Sequence, residues 1–123
     1  MDALPAVSKK ADYPAICQYA DLTNDYNPIH VDRDFAAASP MKGLIAHGTM
    51  SMNLIWQSLR QAFGNEGVAR TVLDVRFVRP VREDDLVTSG GRPAEGGENV
   101  YEVWIRNQND EPVIQGTATI RPA

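Results

Sequence analysis

The distribution of apolar and polar residues predicts helices in the first half of the chain and strands in the second. Between positions 48 and 63, apolar side chains recur along one helical face at i, i+3, i+4, i+7 and i+11: Met52, Ile55, Trp56, Leu59 and Phe63. This spacing predicts the longest helix of the chain over 48–63 and makes it the expected core element.

Shorter elements are predicted before this helix. Mixed apolar and polar residues over 4–10 are typical of a short edge strand, and Asp12 followed by Pro14 is a helix start whose helix should run to about Leu22. The Asn, Asp and Pro residues at 23–28 favour a turn, because the residue before a proline avoids the helical region. A second short helix is predicted over 32–38, closed by a Ser-Pro pair.

After the Gly-rich segment at 64–67, the chain becomes rich in Val, Ile, Thr and aromatic residues. Four strands are predicted, over 68–80, 86–92, 100–107 and 113–121. The segments at 90–97 and 107–112 are rich in turn-forming residues, so the strands they join should form antiparallel hairpins. Helices followed by strands indicate the α+β class.

Length and composition limit the possible functions. With 123 residues, 43% of them hydrophobic, the chain is long enough for one globular domain, 1–123. The net charge of −4 disfavours a nucleic acid partner. No apolar run approaches the ~20 residues of a membrane span, and positions 1–10 lack the apolar stretch of a secretory signal, so a cytoplasmic protein without membrane contact is predicted.

The chain has too few cysteines and histidines for a typical structural metal site. Cys17 is the single cysteine, which excludes an intrachain disulfide, and its helical context is typical of a buried thiol. With His30 and His47 as the only imidazoles, a structural zinc site is not expected, and neither a metal nor a cofactor is predicted.

Candidate chemistry lies first in the turn between the two early helices. Asp25 and His30 stand five residues apart across Asn27-Pro28, and a rigid turn can direct both side chains into one cleft. A carboxylate and an imidazole together suit general acid–base catalysis near neutral pH. The alternative interpretation is conformational: Asp25 caps a turn and His30 forms local contacts only.

The start of the long helix is the second candidate. An apolar segment at 43–46 leads into His47 and Gly48, and a helix N-terminus presents unpaired backbone N–H groups. The Gly48 N–H is therefore a candidate for stabilising a developing oxyanion. Alternatively, the glycine is present only because the backbone adopts an unusual angle there. His47 is interpreted first as a histidine satisfied near the helix start, since a helix N-terminus disfavours a protonated imidazole.

These residues carry a resemblance to a known family. The segment 19–30 contains Asp25-Tyr26-Asn27-Pro28-Ile29-His30 and is followed by Asp32, Phe35 and Ala36; it resembles the hydratase-2 motif, Asp-x-Asn-Pro-hydrophobe-His, of MaoC-like (R)-specific enoyl-CoA hydratases. The segments 43–50 and 75–81 also resemble parts of that family. The resemblance implies a hot-dog fold, in which a curved antiparallel sheet wraps around a long central helix, and which usually forms dimers.

The resemblance also implies an activity. Members hydrate trans-2-enoyl thioesters to (R)-3-hydroxyacyl thioesters or catalyse the reverse dehydration. By similarity, Asp25 and His30 would hold the catalytic water while the Gly48 N–H polarises the thioester carbonyl. The expected substrate is an acyl-CoA or acyl-carrier-protein thioester, and the expected assembly is a homodimer. The alternatives are a hot-dog acyl thioesterase and a non-catalytic hot-dog partner subunit.

Residues around this core are predicted to bind the substrate. Asn27, His47 and Trp56 are the candidates; Asn27 is expected mainly to shape the turn, and the bulky Trp56 stands where some members have a serine, which suggests a short or polar acyl group. Asn24 replaces a glycine frequent in the family, and asparagine tolerates the left-handed conformation needed there. The candidates for contacts to the carrier phosphates are Arg70, Arg76, Arg79, Arg82 and Arg92.

Overall fold

The computed structural model describes residues 3–123, so Met1 and Asp2 of the predicted domain lie outside the described residues. Strand and helix order confirms the α+β class. The elements are β1 (Ser8–Lys10), α1 (Tyr13–Thr23), α2 (Pro28–Val31), α3 (Arg33–Ala38), α4 (Gly48–Ala69), β2 (Thr71–Phe77), β3 (Leu86–Pro93), β4 (Val100–Arg106) and β5 (Pro112–Ile120).

The five strands form one antiparallel sheet in the order β1-β3-β4-β5-β2. The predicted hairpins β3–β4 and β4–β5 are confirmed. Strand β2 does not pair with β3, its neighbour along the chain; it pairs with β5, from Thr71 opposite Ile120 to Phe77 opposite Ile114. Helix α4 contacts all five strands, so the sheet encloses the helix as in the hot-dog architecture.

Helix α4 is longer than its periodicity predicts. It continues past Phe63 to Ala69 through a kink at Gly64, whose φ of 71° and ψ of −178° are not helical. The predicted change to strand at 68 is therefore wrong, and β2 begins at Thr71. Glycine adopts this positive φ without a steric penalty, so the segment can bend and resume a helical path.

The buried face of α4 is also rotated from the predicted one. Its buried side chains are Met50, Ser51, Leu54, Ile55, Ser58 and Leu59. Met52 and Trp56 are half-buried, and Phe63 is 36% exposed. Two serines lie on the inward face, and a pattern that counts only apolar residues omits them. The hydroxyl of Ser58 donates to the carbonyl of Pro5 at 2.5 Å, so this buried hydroxyl has a hydrogen-bond partner.

The early elements follow their local signals closely. Asp12 caps α1, with its Oδ1 accepting the N–H of Ala15 at 2.9 Å, and α1 ends at Thr23, one residue beyond the predicted end. Strand β1 is three residues long, shorter than predicted, and the one-turn helix α2 was not predicted. Cys17 is half-buried rather than buried. Among residues 3–123, no helix is long and apolar enough to cross a bilayer.

Candidate active site

The turn between α1 and α2 is held by short-range hydrogen bonds. Asn24 adopts the left-handed conformation (φ 55°, ψ 36°), as predicted for the position before Asp25. The carboxylate Oδ1 of Asp25 accepts the N–H of Asn27 at 3.2 Å, and the Oδ1 of Asn27 accepts the N–H of Ile29 at 3.2 Å. Asn27 thus caps α2, with Pro28 in its first turn, and shapes the path from Asp25 to His30.

Tyr26 ties this turn to the end of α1. Its hydroxyl donates to the carboxylate of Asp21 at 2.7 Å, and this hydrogen bond raises the pKa of Tyr26 above its usual value of 10.0. The side chain is 53% exposed, so the contact lies at the surface beside the turn.

The tautomer of His30 follows from its hydrogen bond. Its Nδ1 lies 2.7 Å from the carbonyl oxygen of Ile45, and the half-buried ring is held there from α2. Because a carbonyl oxygen only accepts, Nδ1 carries the proton, and a neutral ring then has its lone pair on Nε2. His30 is therefore oriented with one basic nitrogen available to a reacting molecule.

His47 packs against both members of the predicted pair. Its ring stacks on that of His30 with centroids 3.9 Å apart and planes inclined by 24°. Its Nε2 lies 3.0 Å from the backbone carbonyl oxygen of Asp25, to which it donates, and 4.0 Å from the carboxylate Oδ2. Tyr19 contacts the ring edge-on at 5.0 Å. At 3% exposure, His47 is a buried support beneath the site.

Asp25, His30 and His47 each place one side-chain polar atom within 4.8 Å of the others. The Asp25 carboxylate is 52% exposed, so a substrate can reach it. By distance the cluster resembles a metal site. However, the two rings are nearly parallel, so their in-plane lone pairs do not converge on one point, and each ring already uses one nitrogen on a backbone carbonyl. The arrangement suits proton transfer better than metal binding.

A cavity of about 340 Å³ opens beside His30 and Gly48. Its lining is largely apolar, with His30, Ser51 and Arg79 as side chains that carry polar groups. The apolar part of the lining comprises Met41, Ile45, Ala46, Phe77, Val78, Pro80, Val81, Val113 and Ile114. Gly48 is the first residue of α4, and a Cβ there would lie 2.9 Å from the Phe77 ring. A ligand carbonyl placed at this helix start would thus lie next to an apolar chamber.

The structure separates the predicted substrate-binding residues. Asn27 and His47 lie at the turn and beneath it, and neither lines the cavity. Trp56 is two turns farther along α4, half-buried against the apolar core, and it does not line the cavity either. The α4 side chain that lines the cavity is Ser51. The spacing of apolar residues could not identify it, because serine is polar.

The five candidate arginines are not gathered in one place. Arg79 lines the cavity and pairs with Glu111 at 3.4 Å, and Arg82 donates to the carbonyl of Met41, another lining residue, at 2.5 Å. Arg76 and Arg92 line a different groove, beside Trp104. The side chain of Arg70 donates to the carbonyl of Arg121.

The fold and this site define a hot-dog domain with a carboxylate and an imidazole at the start of its central helix. A profile described as the MaoC-like domain matches residues 6–92, and the chain belongs to this family.

Proteins of similar sequence are named as a hydratase and a dehydratase. The chain is 32% identical over 84 residues to an (R)-specific enoyl-CoA hydratase of Rhodospirillum rubrum, covering 68% of this chain and 58% of that protein. It is also 32% identical over 81 residues to a 3-hydroxybutyryl-CoA dehydratase of Methylorubrum extorquens, covering 66% and 52%. The match therefore spans little more than half the length of these relatives. An unliganded R-hydratase of Pseudomonas aeruginosa superimposes with a TM-score of 0.79 at 24% identity, over 95% of this chain and 77% of that one, which shows the shared fold.

Proposed function

We propose that the protein is a hydro-lyase that hydrates trans-2-enoyl thioesters to (R)-3-hydroxyacyl thioesters, or catalyses the reverse dehydration. The observation that carries the proposal is the convergence of the Asp25 carboxylate and the His30 imidazole. Of the two, His30 lines the cavity and Asp25 does not. The names of the similar hydratase and dehydratase support the same reaction class.

The geometry suggests how the water is held. The Asp25 Oδ2 and the His30 Nε2 are the positions at which a water can donate two hydrogen bonds, since Asp25 Oδ1 accepts from Asn27 and His30 Nδ1 donates to Ile45. The water oxygen then adds to C3 as one of the two groups accepts a proton, and a proton is delivered to C2. Atoms balance as the addition of one water across the C2–C3 double bond.

The helix start and the cavity place the rest of the substrate. The Gly48 N–H at the start of α4 polarises the thioester carbonyl, which lowers the energy of the enolate formed as water adds. The acyl group occupies the 340 Å³ cavity, whose apolar walls favour a hydrocarbon chain. Arg79 and Arg82, beside this cavity, are the arginines best placed for the phosphates of a coenzyme A or acyl-carrier-protein thioester.

A homodimer formed through the β2 edge is part of the proposal. Strand β2 is a seven-residue sheet edge that exposes Val72 at 44% and Phe77 at 56%. The opposite edge, β1, has three residues, including Lys9 and Lys10, and is protected against pairing. Sedimentation should show a dimer that Val72→Glu dissociates; a wild-type monomer at assay concentrations would contradict this assembly.

The experiment that tests the reaction follows the loss of enoyl absorbance with crotonyl-CoA. Asp25→Asn and His30→Ala should each lower the rate by ~10²–10⁴, because each removes a positioned acid–base group. Asp34→Asn is the matched control, since this exposed carboxylate lies outside the cluster and should leave the rate unchanged. Chiral analysis of the product should give the (R) alcohol.

Other outcomes identify the alternatives. Release of free thiol without loss of the double bond would indicate a thioesterase. Absence of turnover on both carriers across acyl lengths would indicate a non-catalytic subunit, and full activity in both site variants would remove Asp25 and His30 from the mechanism.

A further inference from the structure

Ser51 is a buried hydroxyl without a hydrogen-bond partner. It lies one turn into α4 with 2% exposure, and its Oγ has no hydrogen-bond partner among residues 3–123. Buried hydroxyls are nearly always paired, so an unpaired one calls for an explanation. Ser58, on the same helix face and equally buried, provides the contrast, because its hydroxyl donates to Pro5.

The position of Ser51 indicates what its partner is. It lines the cavity together with His30 and Gly48, and residues three apart on a helix, such as Gly48 and Ser51, share one face. The other buried polar atom without a partner, the Nδ1 of His47, belongs to a ring outside the cavity lining, and the structure shows no hydrogen bond between His47 and Ser51 among the described residues. The unpaired hydroxyl of Ser51 therefore belongs to a buried side chain in the wall of the space that a ligand enters.

We propose that Ser51 is a second oxyanion donor, which hydrogen-bonds the thioester carbonyl oxygen alongside the Gly48 N–H. This inference rests on the proposed hydration. A carbonyl oxygen has two lone pairs, and the negative charge that develops on it is best stabilised by two preorganised donors. As water adds to C3, the electron pair of the C2–C3 double bond moves toward the thioester and forms an enolate. The Ser51 hydroxyl keeps its proton throughout, and no bond to Ser51 is formed or broken.

Substitution of each serine by alanine tests the proposal, because one variant should lose activity and the other should lose stability. Ser51→Ala should lower kcat by ~10²–10³ with little change in KM, as the loss of an oxyanion donor does. It should leave the melting temperature unchanged or raised, because it removes an unpaired buried hydroxyl. Ser58→Ala should lower the melting temperature and leave kcat near the wild-type value. Ser51→Thr, which keeps a hydroxyl, should recover part of the rate.

Two results would show that Ser51 takes no part in catalysis. One is a Ser51→Ala enzyme whose kcat stays within about twofold of wild type. The other is a loss of activity that parallels a loss of melting temperature in both serine variants, which would indicate a structural role. A rate loss confined to substrates with a polar acyl group would assign Ser51 to acyl recognition instead and would contradict contact with the carbonyl.

A second measurement separates this inference from the reaction itself. Butyryl-CoA labelled with ¹³C at its carbonyl cannot be hydrated, so its infrared carbonyl frequency reports hydrogen bonding without turnover. The frequency should fall on binding to wild type and fall less on binding to Ser51→Ala. If crotonyl-CoA is not hydrated but this difference persists, the proposed reaction fails and the Ser51 contact stands. If hydration occurs and both kcat and frequency are the same in Ser51→Ala, the Ser51 contact fails alone.

Discussion

The imidazole of His47 lies stacked on the imidazole of His30, with ring centroids 3.9 Å apart. The same His47 ring donates its Nε2–H to the backbone carbonyl of Asp25. One buried side chain therefore touches both groups of the proposed acid–base pair, although it does not line the cavity. We infer that His47 is a positioning residue, and that rigid support below the pair keeps the catalytic geometry.

Two substitutions at His47 separate its ring from its hydrogen bond. His47→Phe keeps an aromatic ring against His30 and loses the donor to Asp25, whereas His47→Gln keeps an N–H donor and loses the ring. Both should lower kcat by about 10- to 10²-fold, because small misplacements of positioned groups are costly, and both should leave KM nearly unchanged. Steady-state kinetics on crotonyl-CoA, with thermal unfolding as the check on folding, measures this. Full activity in His47→Phe would show that the contact with Asp25 is dispensable.

The cap of α2 should contribute to stability through Asn27. Asn27→Ala removes the oxygen that accepts the Ile29 N–H and should cost about 0.5–2 kcal/mol in the free energy of unfolding. Asn27→Asp keeps an accepting oxygen and should retain most of that stability. Urea unfolding gives the values, with Asn53→Ala, an exposed position within α4, as the control. Equal losses in Asn27→Ala and Asn27→Asp would contradict the capping role.

Because Phe77 lies close to Gly48, the effects of substitutions at these two positions should be coupled. A methyl group at position 48 would meet two ring carbons of Phe77, at 2.9 and 3.1 Å, and would also enter the cavity. Gly48→Ala should therefore lower kcat/KM, and adding Phe77→Ala should restore part of the loss. A double-mutant cycle on kcat/KM should give a coupling of about 0.5–3 kcal/mol. Strict additivity would mean that the ring yields freely to the methyl group.

Gly116 should tolerate no larger residue, because the β2 backbone lies very close to this residue of β5. Gly116 pairs with Val75 of β2, and a Cβ at Gly116 would overlap the carbonyl oxygen of Asp74. Gly116→Ala should destabilise the fold by roughly 1–3 kcal/mol or more, as overpacking does. At Gly97 the nearest atom would be 3.3 Å away, in a Val100 side chain, so Gly97→Ala is the matched control with a small effect. A wild-type melting temperature for Gly116→Ala would contradict this close backbone approach.

The contact between Tyr26 and Asp21 has an alkaline pH signature. The pKa of Tyr26 is raised in the folded protein, so its contribution to stability is present below the unfolded pKa, about 10, and is lost as pH rises through the folded pKa. Asp21→Asn removes the carboxylate and should lower the pKa of Tyr26. Ultraviolet titration of phenolate absorbance, compared with Tyr26→Phe to assign the signal, measures the change. An unchanged titration in Asp21→Asn would show that the hydrogen bond does not persist in solution.

Short-range signals account for what was predictable from the sequence. The Asp12 cap, the left-handed Asn24 and the Asn27-Pro28 turn depend on hydrogen bonds and steric limits within a few residues. The same locality makes Asp25 and His30 identifiable as a pair, because five residues and one rigid turn separate them. The two hairpins were predictable for the same reason, since a turn joins each pair of adjacent strands.

Packing between distant parts of the chain accounts for the remainder. The inward face of α4 includes Ser51 and Ser58, because enclosure by the sheet, and not the hydropathy of each residue, selects which side faces the core. Strand β2 reaches β5 across the sheet, and only this pairing places Phe77 beside Gly48.

By itself, the sequence determined most element types, the candidate acid–base pair and the resemblance to the MaoC-like family, because these depend on local spacing and on a contiguous motif. Only the tertiary structure showed that His47 stacks on His30 and that Ser51, instead of Trp56, lines the cavity beside Gly48. These contacts depend on the rotation of α4 within the sheet. That rotation is set by the combined burial of residues far apart in the chain, and no local pattern encodes it.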